Sequence, residues 1–314
     1  MPRMAPSPLI VIAGPTACGK TRLAVALARR FGGEIVSADS RQVYHGLDLC
    51  AGKDLVEYRS GGPPVPVHLV DTINLEREYS LFDFARDFCE RFAQIVQRRR
   101  QPILCGGTGL YLEAVLRRYG LVEAAPDPSL RAELENASAE ELMQRLRAEK
   151  PRLHNTTDFG CRERIIRAIE IAIRTRRQPA IEWPAFQPLV IGVALPRPAR
   201  KARIRERLRE RLSAGMIDEV RRLLEAGVSH QRLEDLGLEC RFVSRFLRGE
   251  IASASEFEER LAREIYLFSK RQEAWLRRWE RSGIQVHWIE RPDADRAAVW
   301  IQEALANRPA GGTP

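Results

Sequence analysis

One eight-residue segment near the N-terminus limits the possible folds of this chain more than any other feature. Residues 14–21, G-P-T-A-C-G-K-T, match the pattern G-x-x-x-x-G-K-[ST] at every required position. The segment follows a short apolar run at residues 9–13 and begins a helical pattern at residues 20–31. Because backbone N–H groups and a helix N-terminus can surround phosphate oxygens there, the sequence predicts a phosphate-binding loop.

Each residue of this loop is a candidate ligand of a diphosphate or a nucleotide. Lys20 supplies a positive charge, and the hydroxyl of Thr21 is placed to bind Mg²⁺ or a phosphate oxygen. We interpret Cys18 as a small spacer and not as a nucleophile. The predicted phosphate-binding residues are Gly14, Pro15, Thr16, Ala17, Cys18, Gly19, Lys20 and Thr21.

Strands and helices alternate along the first part of the chain, which predicts a parallel sheet with helices on both faces. After the loop we predict strands at residues 34–38, 65–70 and 103–105, and an amphipathic helix at 80–100. The fold class is therefore α/β, with a sheet like that of P-loop NTPases.

The middle of the chain has a different pattern, with helical stretches at residues 129–150 and 162–175 and no convincing strand. We predict a helical insertion at 121–183 between two parts of one core, at 1–120 and 184–306. The second part begins with a strand at 189–195, is helical and basic from about 198 to 279, and ends with a strand at 284–289 and a short helix. We expect residues 307–314 to be a disordered tail.

The net charge of +9 favours an anionic partner, such as nucleic acid or a phosphorylated substrate. A generally Arg-rich surface explains the charge equally well. The six cysteines form no C-x-x-C pair, which suits a reducing cytosol. We find no secretory signal and no apolar run of membrane-spanning length, and we expect a cytoplasmic protein that does not span a membrane.

Two polar residues follow predicted strands and should face the ligand crevice of the sheet. Asp39 is either a general base or an indirect Mg²⁺ holder, or it caps the next turn. Thr108 follows Gly106 and Gly107, which permit close backbone approach to a ligand or only form a tight turn. A GTPase is disfavoured, because no N-K-x-D sequence occurs and the strand before Asp71 is short.

Several motifs, taken together, resemble the tRNA dimethylallyltransferase family, also called tRNA isopentenyltransferases. The phosphate loop is followed in the family's order by D-S-x-Q-x-Y at 39–44 and G-G-T-x-L-Y at 106–111. Further similar segments are D-P-x-x-R at 127–131, R-x-x-R-A-x-E at 164–170, R-I-x-x-R at 203–207 and K-R-Q-x-x-W at 270–275. The resemblance covers roughly residues 8–280.

The resemblance implies transfer of a dimethylallyl group from dimethylallyl diphosphate to N6 of adenosine 37 in tRNAs that read codons beginning with U. It implies Asp39, Thr108 and Arg207 as catalytic residues, with Arg203 as a further diphosphate ligand and Mg²⁺ as cofactor. It implies binding of the tRNA anticodon stem-loop by Asp39, Ser40, Arg41, Gln42, Thr108, Arg131, Glu163, Arg164, Ile165, Ile166, Arg167, Arg241, Lys270 and Arg271. We expect a monomer.

The sequence departs from the family pattern at three places. The usual G-T-A-K-P is C-A-G-K-D at residues 50–54, the usual I-G-Y-[KR] is L-E-C-R at 238–241, and Ser269 replaces an alanine. We interpret Trp275 and Trp279 as core residues. The alternatives are an ATP-dependent small-molecule phosphotransferase and a non-catalytic tRNA-binding paralogue.

Overall fold

The computed structural model describes residues 7–149, 161–176 and 178–306. Its centre is a parallel sheet of six strands in the order β3-β2-β4-β1-β5-β6. The strands are β1 (Ser7–Ala13), β2 (Gly33–Ala38), β3 (Val67–His68), β4 (Gln101–Gly106), β5 (Phe186–Val193) and β6 (Val286–Ile289). The strands β2 and β4 are buried along their whole length, which fits a parallel sheet covered on both faces.

Most of the chain outside the sheet is helical. The first helices are α1 (Lys20–Phe31), α2 (Leu81–Gln97), α3 (Gly109–Arg117), α4 (Pro128–Leu134), α5 (Ala139–Glu149) and α6 (Arg162–Thr175). The later ones are α7 (Arg197–Ser213), α8 (Met216–Glu225), α9 (His230–Asp235), α10 (Leu238–Leu247), α11 (Ala254–Arg281) and α12 (Ala294–Ala306). These elements have the predicted α/β class.

The register of the sheet brings three loops to one edge. Ala13 at the end of β1 pairs with Gly106 of β4, and Gly106 pairs with Ala38 of β2. A side chain at Gly106 would overlap the carbonyl group of Ala38, so only glycine permits this close pairing. The phosphate loop, the loop after β2 and the loop after β4 therefore leave the sheet side by side.

The chain divides into two compact units. The larger unit comprises residues 1–117 and 184–314, and the smaller one is Arg118–Trp183. In the larger unit, one apolar core lies around the sheet with α1 and α12, and a second lies among α7 to α11. The smaller unit packs α4, α5 and α6 around its own core, which includes Leu142, Leu146 and Ile169.

Two predicted elements were wrong in extent. The strand predicted at 65–70 is only Val67–His68, because Leu69 and Asp71 take left-handed backbone conformations, with φ of 60° and 51°. The helix predicted at 129–150 is interrupted, because Ser138 begins a new helix as its N-terminal cap. The Ser138 hydroxyl accepts the N–H of Glu141, whose carboxylate accepts the N–H of Ser138. The predicted tail at 307–314 lies outside the described residues.

Candidate active site

The phosphate loop has the backbone shape that its glycines predict. Ala17 and Gly19 have φ of 61° and 83°, and α1 begins immediately afterwards at Lys20. Positive φ values close to a helix N-terminus turn successive N–H groups toward one point, which forms an anion-binding concavity. Burial raises the pKa of the Cys18 thiol, although Lys20 and Arg207 act in the opposite direction. A raised pKa disfavours the reactive thiolate form, which fits the predicted role of Cys18 as a spacer.

A cavity of about 530 Å³ opens at this edge of the sheet. It is lined by the phosphate loop, by the loops after β2 and β4, and by α7, α10 and α11. The three predicted catalytic residues, Asp39, Thr108 and Arg207, all line it. Arg203 and Thr21 line it as well, so the structure brings together the predicted catalytic, diphosphate and metal positions.

Asp39 caps the next turn and also lies at the cavity, so its predicted role as general base or Mg²⁺ holder stays a prediction. Its Oδ1 accepts the backbone N–H of Arg41 at 3.0 Å, which is the turn-capping arrangement. The same side chain lines the cavity together with residues of the phosphate loop. The cap fixes the carboxylate in place and leaves its second oxygen for a ligand.

Thr108 connects two of the loops at the edge of the sheet. Its Oγ1 accepts the backbone N–H of Ser40 at 3.0 Å and lies 3.5 Å from Ser40 Oγ. The backbone N–H of Thr108 also donates to the carbonyl oxygen of Ala38, at 3.2 Å. The hydroxyl is thus held at the cavity wall, and its hydrogen, which makes only the long 3.5 Å bond to Ser40 Oγ, can turn to a ligand.

Arginines of α7 form the opposite wall of the cavity. Arg203, Arg207 and Arg211 are spaced four residues apart, so they lie on one helix face. Arg207 pairs with Asp54, and Arg203 Nη1 lies 3.4 Å from Glu206 Oε2. Arg211 was not among the predicted site residues, although its spacing from Arg207 is a signal that could have found it.

Gln272 also escaped prediction as a site residue, although it lies within the K-R-Q-x-x-W segment. Its Oε1 accepts the N–H of Thr16 at 2.8 Å, and its Nε2 donates to the carbonyl oxygen of Gly107 at 2.9 Å. One amide therefore ties the phosphate loop to the loop after β4. Trp275, one turn later, packs on Gly109 and lines the cavity, whereas Trp279 is fully buried. The prediction that Trp275 is a core residue therefore left out its contact with the cavity.

Glu239 is a third residue that sequence reasoning missed. It occupies the glycine position of the family's I-G-Y-[KR] segment and lines the cavity. Burial raises the pKa of its carboxyl, and the nearby charge of Arg211, at 3.5 Å, acts to lower it. Glu239 thus joins Asp39, Asp54 and Glu57 as an acidic residue of the cavity lining, and it lies beside Arg211 of α7.

The predicted tRNA-binding residues of the larger unit are distributed differently. Ser40, Arg41, Gln42 and Arg271 line the cavity, and Lys270 is exposed on α11. The amide of Gln42 is bound on both sides, by Ser37 Oγ at 2.9 Å and by the carbonyl oxygen of Gly52 at 3.2 Å. Arg241 lies in a second cavity, where it donates to the carbonyl oxygen of Glu234.

In the smaller unit, two predicted tRNA contacts bind a carboxylate of their own chain. Arg131 Nε donates to Glu170 Oε1 at 2.7 Å, and Arg167 Nη1 donates to Glu170 Oε2 at 2.9 Å. The Glu170 side chain is only 1% exposed. Burial would raise the pKa of Glu170, but these arginines and the N–H of Asp127 lower it to about 2. The cluster is built to hold an ionised carboxylate.

The remaining predictions in the smaller unit concern one turn of α6. Ile165 and Ile166 are buried in the core of the unit, because the helix turns these two apolar positions inward. Their side chains therefore stabilise the unit, and tRNA binding by Ile165 and Ile166 stays a prediction that their backbone would have to fulfil. Glu163 and Arg164 are exposed, and their role in tRNA binding stays a prediction.

No acidic cluster able to hold a metal ion by itself occurs within the described ranges. Asp71, the acid considered from sequence, is instead bound by the buried Lys53, which also contacts Asp48 at 2.7 Å. A metal at this site would have to share its ligands with a bound phosphate, as Mg²⁺ commonly does. Thr21 and Asp39 fit that arrangement, since both line the cavity.

No helix among the described residues is long and apolar enough to cross a lipid bilayer. All six cysteines are unpaired.

Comparison with known proteins gives matches over nearly the whole chain. The profile of the IPP transferase family matches residues 42–279, and that of isopentenyl transferases matches residues 7–60. The chain is 52% identical to tRNA dimethylallyltransferase 2 of Syntrophotalea carbinolica, covering 90% of this chain and 94% of that protein. It is 47% identical to tRNA dimethylallyltransferase 1 of Porphyromonas gingivalis, covering 90% and 93%.

Two solved structures are similar to the fold. The tRNA isopentenylpyrophosphate transferase of Bacillus halodurans matches with a TM-score of 0.67 at 28% identity, covering 96% of each chain. A eukaryotic dimethylallyltransferase, described as acting on tRNA, matches with a TM-score of 0.75 at 21% identity, covering 96% of this chain and 80% of that one.

Proposed function

The chain belongs to the IPP transferase family, and on that basis we propose that it is a tRNA dimethylallyltransferase. The reaction moves a dimethylallyl group from dimethylallyl diphosphate to N6 of adenosine 37, next to the anticodon, and releases diphosphate. The tRNAs would be those that read codons beginning with U. We further propose that the enzyme acts as a monomer in the cytoplasm.

One observation carries the proposal. The phosphate loop, the carboxylate of Asp39 and the arginines of α7 line the same cavity of about 530 Å³. A diphosphate at the loop and a purine beside Asp39 would therefore meet inside one cavity. The same loop would hold ATP in a phosphotransferase, but the close relatives carry the name of a prenyl transferase.

The leaving diphosphate needs positive charge around it as the bond from carbon to oxygen breaks. Lys20 and the N–H groups of the loop approach from one side, and Arg203 and Arg207 approach from α7. When bound, Mg²⁺ would add charge at the diphosphate, with the Thr21 hydroxyl as its protein ligand. The pairing of Arg207 with Asp54 keeps its guanidinium at the cavity wall.

The attacking group is the exocyclic amine of adenine, which must lose a proton as it forms its new bond to carbon. Asp39 is the acceptor, because its carboxylate is fixed by the Arg41 N–H at 3.0 Å and faces the cavity. The amine nitrogen bonds to C1 of the dimethylallyl group, the C1–oxygen bond breaks, and the proton passes to Asp39. The Thr108 hydroxyl keeps its proton and donates a hydrogen bond to the bridging oxygen that departs.

The target adenosine must leave the stack of the anticodon loop to reach this depth, as other base-modifying enzymes require. Arg41 and Arg271 at the cavity wall and Lys270 nearby on α11 would bind RNA phosphates. Arg164 and Glu163 on α6 would contact the RNA from the smaller unit.

Incubation with unmodified tRNA, Mg²⁺ and dimethylallyl diphosphate tests the proposal directly. Digestion and mass spectrometry of the nucleosides should show an adenosine heavier by one dimethylallyl group in place of hydrogen. Separated tRNAs should show the gain only in those that read codons beginning with U. No gain on adenosine across a whole tRNA pool would refute the transferase reading, and phosphate transfer from ATP would establish the phosphotransferase instead.

A further inference from the structure

The rim of the reaction cavity carries an exposed aromatic ring. Phe268 on α11 lines the cavity and is 43% exposed. The guanidinium of Arg271 lies 5.7 Å from the centre of its ring. Its position at the rim of the cavity makes this exposed ring a surface that a ligand can cover. A ring accompanied by a cation is the usual platform on which proteins stack unpaired bases.

A second cavity, of about 320 Å³, lies beside the first and shares Leu238 with it. Its lining contains four arginines and a single acidic residue, Glu264. The arginines are Arg241, Arg245, Arg260 and Arg263. Arg260 also binds Glu256 at 2.9 Å, but basic side chains remain in excess around the cavity, which favours a phosphate group.

One donor in this second cavity is unsatisfied. Arg245 Nη2 donates to Glu234 Oε2 at 2.8 Å, but its Nε is buried without a hydrogen-bond partner in the described part of the chain. A buried donor without an acceptor is unfavourable. The Arg245 side chain is nevertheless 41% exposed, so the accessible end of its guanidinium can bind an anion in the cavity.

The helix α11 connects the two features. Arg260, Glu264 and Phe268 are spaced four residues apart, so they follow one helix face from the second cavity to the rim of the first. Glu264 and Phe268 are separated by about 6 Å along the helix axis, since each residue rises 1.5 Å. That separation is comparable to the size of one nucleotide unit.

We propose that Phe268 and the second cavity form a subsite for the nucleotide adjacent to the target adenosine. The base of that nucleotide stacks on Phe268, and a phosphate beside it lies among Arg245, Arg260 and Arg263. The inference rests on the proposed function, because it takes the ligand of the first cavity to be a flipped adenosine. It adds a base contact at the rim of the reaction cavity and assigns a ligand to the second cavity.

The aromatic contact is tested by binding alone, with an anticodon stem-loop RNA and no isoprenoid donor. Phe268→Leu should weaken binding about tenfold, because stacking on an aromatic ring contributes that much per base. Phe268→Tyr keeps the aromatic face and should bind like the wild type. Val299→Ala is the matched control, because Val299 is 52% exposed on α12 and lines neither cavity.

RNA with an abasic residue next to the target adenosine identifies the stacked base. Removal of the base on one side should weaken binding to the wild type and leave binding to Phe268→Leu almost unchanged, since the contact is already lost. Equal losses for the two proteins, with abasic residues on either side, would overturn the proposal. A raised KM for dimethylallyl diphosphate with unchanged RNA affinity would also overturn it, since the ring would then contact the prenyl chain.

The salt dependence of RNA binding tests the phosphate contact. Arg260→Gln combined with Arg263→Gln should reduce the slope of log K against log salt by about 0.7, the value for one phosphate of a single strand. Phe268→Leu should leave the slope unchanged, and Arg296→Gln on α12 serves as the charge control. An unchanged slope for the double variant would show that the second cavity binds no phosphate. These binding results are independent of the nucleoside assay, which alone decides whether the wild type transfers a prenyl group.

Discussion

The two units of the molecule use arginine in opposite ways. In the larger unit, seven basic and four acidic side chains line the reaction cavity, so positive charge is left in excess toward a ligand. In the smaller unit, Arg131 and Arg167 both bind the buried carboxylate of Glu170. The first arrangement attracts an anion from outside, and the second neutralises an anion that the chain itself buries.

This difference shows that an arginine motif does not reveal its role from sequence. The segments around Arg131, Arg167 and Arg207 all matched the same family pattern. Only Arg207 lines the cavity beside the phosphate loop. Substitutions in the cavity should therefore reduce activity with little effect on folding, and substitutions around Glu170 should reduce stability with little effect on chemistry.

The largest effect is expected for Asp39→Asn, which keeps the size of the side chain and removes its basicity. Turnover should fall by about 10² to 10⁴, the usual contribution of a general base. RNA affinity and thermal stability should remain near the wild-type values. Single-turnover prenylation and RNA binding are measured side by side, and Asp218→Asn, at an exposed residue of α8, serves as the control. If the wild type and Asp39→Asn both bind RNA and neither transfers a prenyl group, the chain is a tRNA-binding paralogue.

Arg207→Gln should have the next largest effect. Removal of one charge that faces the leaving diphosphate should lower kcat/KM by about 10², as for other groups that stabilise developing charge. The unfolding midpoint should change little, because the Arg207 side chain pairs only at the cavity wall with Asp54. Steady-state kinetics and urea unfolding provide the two readouts. Arg209→Gln, on the same helix and 67% exposed, should leave kcat/KM unchanged.

Glu170→Gln should reverse this pattern. The variant should lose about 2 kcal/mol of stability at neutral pH, since strong hydrogen bonds to a charged group are replaced by weaker ones. Because the folded-state pKa of Glu170 lies at about 2, below its ordinary value, its stabilisation is complete above that ordinary value. It is lost as the pH falls toward 2, where the unfolding curves of wild type and variant should converge. Curves that stay separate at low pH would contradict this account.

Arg131→Ala should have the smallest effect, about 1 kcal/mol of stability, because Arg167 still binds Glu170. Hydrogen exchange of α6 measures the local loss. If Arg131 contacts RNA in addition, the salt slope of tRNA binding should also decrease. A decrease in slope without any loss of stability would mean that the two units do not differ in the way described above.

The residues around the cavity also limit how Mg²⁺ could be bound. Thr21 and Asp39 can join a metal carried by a bound diphosphate, whereas the described residues contain no separate acidic cluster. The Mg²⁺ requirement therefore stays a prediction, and activity after treatment with a chelator would test it.

The sequence alone determined the local elements and the chemistry of single loops. The pattern at 14–21 specified a strand, a turn and a helix N-terminus, because glycine freedom and helix geometry act over a few residues. Strand and helix periodicity likewise predicted the α/β class and the change of pattern after residue 120. The predicted ends of a helix were wrong where a local signal, such as the Ser138 cap, interrupted a longer apolar pattern.

Only the tertiary structure decided which side chains share a surface. Gln272 lies 256 residues from Thr16 in sequence, yet its amide joins two loops of the cavity. Ile165 turned out to be buried and Phe268 exposed, although both are apolar residues on helices. The sheet register, the packing of α7 and α11 on the site and the pairing of Glu170 depend on contacts between distant segments. Periodicity along the chain reports which face of an element is apolar, but it does not report which element covers that face.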